Sequence, residues 1–254
     1  MRERMDAWGV WRIVFPLLLY YVLSMGLAEL LQMLIPALAL PENAMWRLTL
    51  ENGLLLPVFY GIYRRDRRAE AGGRKTFDFR ALLLVLGTSL LLSRGLNLLL
   101  NLTALPRLFP GFLEATDGIY RCSFLSQMAA SAISAPLLEE VLMRGLLYNR
   151  LKETLYSRRK ALAGSALLFA VFHGNLVQGV YAFFLGLLFA LIYESYQSLL
   201  PAVLAHMAAN AASIFAQGLT LPESYFAQPL YLALTAVCLL YLGWLGLKKI
   251  ISGF

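Results

Sequence analysis

Apolar residues run along this chain in blocks of about 20, the length a helix needs to cross ~30 Å of hydrocarbon. Eight blocks predict helices at about 13–36, 46–63, 81–104, 123–149, 161–174, 177–197, 199–220 and 229–247. So many spans make a bundle rather than a single anchor. The expected fold is therefore all-α, a polytopic membrane helix bundle of about eight transmembrane helices. No repeat, low-complexity tract or linker interrupts the pattern, so residues 1–254 read as a single integral membrane domain.

Composition points the same way. Apolar residues make up 59% of the chain and charged residues 15%, where soluble domains sit near half and a quarter. The mean hydropathy is +0.65.

The net charge of +7 matters less than its placement. The connection near Pro41 to Ala44 holds no Lys or Arg, whereas RRDRRAEAGGRK at 64–75 holds six. The 105–120 loop has only Arg107, and RLKETLYSRRK at 150–160 has five basic residues. With basic loops on the inside, the 64–80 and 150–160 loops, Lys248–Lys249 and both the N- and C-termini fall in the cytoplasm. The short loops fit the cell membrane of a prokaryote. These basic clusters lack aromatic stacking partners and a soluble domain, so membrane lipid headgroups are their expected partners and no nucleic acid is. Cys122 and Cys238 show no disulfide or metal spacing and read as packing residues. The first apolar run is too long for a cleavable signal peptide and has no small-residue cleavage site.

A charge inside an apolar run costs several kcal/mol and needs a partner or a function. Glu29, Glu51 and Arg94 read as structural polar contacts, and Glu194, near a helix end, as a group that snorkels to water. The segment APLLEEVLMRGLLYNRL differs, with Glu139, Glu140 and Arg144 crowded into six residues of one run. Glu140 and Arg144 are four apart and can pair on one face. Glu139 lies ~100° round the helix, so one carboxylate stays free for other work.

The two histidines, His173 and His206, sit on separate runs, and His206 shares a helix face with Asn210. At ~1.5 Å of rise per residue, Glu139, His173, His206 and Asn210 all lie roughly 10 to 18 Å from the cytoplasmic ends of their helices. A carboxylate to take a proton from water, an imidazole to position that water, and an imidazole with an amide to stabilise an oxyanion form a set suited to hydrolysis. The same glutamate and histidines could instead bind Zn²⁺ with a water, although no HExxH pair or third strong ligand stands at zincin spacing.

The motifs EEVLMR, FAVFH and HMAAN, in that order on separate helices, resemble those of the CPBP family. This is the group of CAAX prenyl endopeptidase type II and bacteriocin-processing membrane proteins, also called the ABI family. The resemblance covers roughly 121–215. It implies an eight-helix intramembrane endopeptidase cutting a hydrophobic, lipidated or membrane-associated peptide or protein. It further implies Glu139 as base with His173 as partner, Glu140, Arg144 and Phe169 in support, and His206 with Asn210 at the oxyanion. Both metal-dependent and glutamate-only mechanisms are argued for the family, so His173, His206 and Glu139 stand as candidate Zn²⁺ ligands. Two other readings remain: an ion-coupled transporter whose midplane groups relay protons, and a catalytically idle immunity or scaffold member of the same family.

Overall fold

The computed structural model describes residues 7–37, 44–67, 76–218 and 228–252. The connection near Pro41, residues 68–75 of the basic loop, the end of the seventh run beyond 218 and both chain ends lie outside the described residues. Everything described is helix, turn or short connection. The long helices are α1 (Ala7–Ala37), α2 (Ala44–Arg67), α3 (Phe79–Leu102), α6 (124–155), α7 (Arg158–Phe172), α8 (Leu176–Tyr196), α9 (Leu199–Gly218) and α10 (Pro229–Ser252). Two short helices, α4 (Leu105–Leu108) and α5 (Pro110–Tyr120), fill the connection before α6.

Five helices, α1, α3, α8, α9 and α10, are long and apolar enough to cross a membrane. The polar content of α2, with Arg47, Glu51 and Asn52, lowers its hydropathy, and α7 has only 15 residues. Large apolar side chains cover the outside of the bundle, among them Val22, Met25, Met33, Leu234 and Val237. Such a surface suits lipid, not water.

The centre of the bundle is α6, where every residue from Val141 to Tyr148 is buried. It is not a uniform α-helix. Two stretches, Met128–Ser134 and Val141–Tyr148, take π-helical i→i+5 bonding and flank the α-helical Ala135–Glu140. Such widened turns leave carbonyls for side chains to satisfy. Asn149 Nδ2 reaches back to the carbonyls of Arg144 at 3.2 Å and Gly145 at 2.8 Å and also meets the Tyr193 hydroxyl at 2.8 Å.

Helix α2 runs parallel to α6, as three contacts in rising order show. The Ser131 hydroxyl faces Met45, Asn52 donates to Ser134, and Gly145 lies against Tyr63. At the basic end Arg150 closes the stack, donating to Asp66 at 2.9 Å and to the Arg12 carbonyl at 2.6 Å. On the far side α3 and α10 pack antiparallel. There a Cβ on Gly243 would stand 2.5 Å from Leu92 Cγ, the close approach that small residues permit between membrane helices.

The expectation that Glu194 snorkels to water is corrected. Cations from the 150–160 segment fold over the end of α8, so Lys152 at 3.0 Å and Arg158 at 3.3 Å pair with Glu194, and the Tyr148 hydroxyl donates to it at 2.8 Å. Glu51 is buried and accepts a hydrogen bond from Ser24, whereas Glu29 is exposed on α1. Cys122 and Cys238 are free thiols, and Cys238 is exposed, so it does not pack in the core.

Candidate active site

The site is built from the inside of α6 outward. Arg144 and Glu140 are wholly buried and one α-turn apart, and Arg144 Nη1 donates to Glu140 Oε1 at 2.7 Å. The second nitrogen of the guanidinium donates to the Gly186 carbonyl at 2.8 Å. Its plane sits over the rings of Phe169 at 4.7 Å and Phe189 at 5.5 Å. A desolvated charge pair holds only where its geometry is fixed from several sides, and here α6, α7 and α8 each contribute.

His206 extends this pair toward the open side. Its Nδ1 lies 2.8 Å from Glu140 Oε1, and its ring stacks on Phe189 at 4.6 Å with Phe169 set edge-on at 5.6 Å. The opposite nitrogen, Nε2, lies 3.7 Å from Glu139 Oε2. Glu139 is the less enclosed carboxylate, with 19% of its side chain exposed against none for Glu140. Glu140 pairs with Arg144 at the i,i+4 spacing, and Glu139 lies against His206 instead.

His173 ends α7, with Nδ1 2.7 Å from the Phe169 carbonyl and its ring 4.6 Å from that of Phe169. Phe169 thus touches both histidines and Arg144. Among the described residues His173 makes no hydrogen bond or ion pair to Glu139, and its Nε2 has no protein partner. Asn210 is turned elsewhere, donating from Nδ2 to the Ser131 carbonyl at 2.8 Å in the first π-helical stretch.

These partners fix the tautomers. The Phe169 carbonyl can only accept, and a carboxylate paired with arginine also accepts, so both histidines carry their proton on Nδ1 when neutral. Each Nε2 is then a lone pair. Zinc-binding histidines have this outer pattern, but no three His, Cys, Asp or Glu side chains converge as a ligand set among the described residues. Here His173, His206 and Glu139 do not fit a Zn²⁺ site, and no step is routed through a metal.

Several residues at the site carry no motif. Phe189 and Gly186 of α8 hold His206 and Arg144. Tyr20 of α1 packs on Phe172 at 4.9 Å and lies within electrostatic reach of Glu51 and Glu139. Of this wall the sequence marks only Glu51, a charge within an apolar run.

Residues 121–212 match the family model described as type II CAAX prenyl endopeptidase Rce1-like. Comparison with curated proteins and with solved structures finds no match. The matched segment runs from the start of α6 through Asn210 and contains every motif residue named above, in agreement with the CPBP resemblance. Over these residues, about a third of the chain, the sequence is similar to the Rce1-like type II CAAX prenyl endopeptidases, a family of proteases.

Proposed function

We propose that the chain is an intramembrane endopeptidase that hydrolyses a peptide bond in a hydrophobic, lipidated or membrane-associated peptide, with Glu139 as the base. The carrying observation is the pairing of a partly open Glu139 carboxylate with His206 Nε2 at 3.7 Å, backed by the buried Glu140–Arg144 pair. A water donating to both acceptors would be held for attack. Glu139 takes its proton as the oxygen adds to the carbonyl carbon, then returns that proton to the amide nitrogen as the C–N bond breaks.

The motif resemblance assigns the water to His173 and the oxyanion to His206 with Asn210. The geometry favours a different split. His206 is the imidazole beside Glu139, and with Nδ1–H given to Glu140 its Nε2 is an acceptor in the neutral ring. Asn210 keeps a second amide hydrogen for an oxyanion, and His173 presents Nε2 from the end of α7. The proposed setting is a polytopic bundle of eight spans in the cell membrane of a prokaryote, with both termini cytoplasmic.

The test is cleavage of membrane peptides by purified protein in liposomes. Glu139→Gln is expected to abolish turnover, and His206→Ala to cost more than His173→Ala. Full activity of Glu139→Gln overturns the reading. A greater loss in His173→Ala than in His206→Ala returns the water to His173. Proton-coupled uptake without proteolysis, lost in Glu140→Gln, would favour a transporter instead.

A further inference from the structure

Two amides from opposite sides grip the first π-helical stretch of α6, and one of them lies far outside the family match. Asn52 of α2 is 4% exposed and donates from Nδ2 to Ser134 Oγ at 3.2 Å. Ser134 in turn donates to the Ala130 carbonyl at 3.0 Å. From the other side Asn210 donates to the Ser131 carbonyl at 2.8 Å. The residue before Asn52 on α2, Glu51, accepts from Ser24 and so ties α1 to the same turn of α2.

The place of this grip has a geometric consequence. A turn closed by i→i+5 bonds holds one residue more than an α turn, and one residue is ~100° of rotation. Glu139 and Glu140 also differ by ~100°. If Met128–Ser134 relaxed to α-helix, everything beyond it would rotate by about the angle that separates the two carboxylates. Glu140 and Arg144 would turn together and stay paired, but Glu139 would leave His206 Nε2 and Leu138 would come to its place, so the state of this stretch decides whether Glu139 faces His206. Pro136, at the start of Ala135–Glu140, carries no backbone N–H and cannot itself supply the missing ladder bond.

Resting on the peptidase reading, we infer that Asn52 is a positioning residue for catalysis. Through Ser134, and together with Asn210, it holds the π-helical turn that turns Glu139 toward His206. It touches no reacting atom. Its effect is on the direction of the base.

The test compares Asn52→Leu, Ser134→Ala and the double variant with the parent and with Glu139→Gln, all in liposomes on one membrane peptide. Asn52→Leu keeps the side-chain size and is checked for folding by thermal unfolding in detergent. A ~1 Å misplacement of a catalytic group can cost on the order of 100-fold. A fall in kcat of that order is expected for Asn52→Leu with KM little changed. The double variant should be no worse than the worse single, because both act through one bond. A hydrophobic carbodiimide that labels carboxylates gives a readout independent of turnover. Labelling read by peptide fragmentation should fall on Glu139 in the parent and drop at Glu139 in Asn52→Leu.

If Glu139→Gln is inactive while Asn52→Leu keeps parental kcat and labelling, this inference fails and the peptidase reading stands. If Glu139→Gln remains active, the peptidase reading fails first. Equal losses in kcat and 1/KM, or additive losses in the double variant, reduce Asn52 to a general packing role and overturn the inference.

Discussion

Replacing Arg144 by methionine removes a wholly buried cation and leaves its partner, Glu140, wholly buried without a counter-charge. Lost with it are a hydrogen bond to Gly186 and the stacking on Phe169. Breaking a buried pair from one side costs about 3–5 kcal/mol. At ~2–4 °C per kcal/mol for a chain of this size, the midpoint of thermal unfolding should fall by roughly 10 °C. Arg144→Met combined with Glu140→Leu removes both charges, and the pair itself then costs little. What remains is His206, whose Nδ1–H loses its acceptor at a cost of about 1–3 kcal/mol. The double variant should therefore unfold at a higher temperature than Arg144→Met alone while lacking activity. Tryptophan fluorescence during heating in detergent measures both midpoints. A single variant within ~1 kcal/mol of the parent, or a double variant less stable than the single, would refute the account of α6 as built on a desolvated pair.

Glu139→Gln should unfold within ~0.5 kcal/mol of the parent, since its partly exposed carboxylate accepts no hydrogen bond among the described residues. Its kcat should fall by about 10²–10⁴, as expected when a general base is lost. Because no three metal-ligating side chains converge among the described residues, dialysis against a strong chelator should leave the cleavage rate unchanged. Loss of activity restored by added Zn²⁺ would contradict that. Gly145→Ala would set a Cβ 2.9 Å from Tyr63 Cδ2. Overpacking of this kind costs about 1–3 kcal/mol, and a smaller residue at 63, as in Gly145→Ala with Tyr63→Leu, should recover part of the lost midpoint.

Hydropathy alone locates the long helices, because membrane length imposes the period and the polar loops interrupt it. The same physics marks Glu139, Glu140, Arg144, His173 and His206, since a polar group in an apolar run is costly and stands out. Rotation round α6 is also legible as far as the pairing of Glu140 with Arg144, because i,i+4 spacing survives between Glu140 and Arg144 at 2.7 Å. What one-dimensional spacing does not carry is which helix lies beside which. Equal depth brought four residues together on paper, but the packing of α9 against α6 set His206, not His173, beside Glu139. Glu194 shows the same limit, because its partners come from the end of α6 and the start of α7, far away in sequence.

In the first two helices only Glu29 and Glu51 stand out in the sequence, for a different reason. Asn52 and Ser24 are ordinary polar residues whose importance depends on meeting Ser134 and Glu51, and neither contact has a sequence signature. The π-helical stretches are equally hidden, since MAASAIS and VLMRGLLY have no residue that forces an extra residue into a turn. The carbonyls that the wider turns present are met within α6 by Asn149 and Ser134 and from α9 by Asn210. A rotation of ~100° beyond the first stretch would turn Glu139 away from His206 and bring Leu138 to its place. The motif therefore supplies the carboxylates, and the packing of segments outside the motif sets the direction in which Glu139 points.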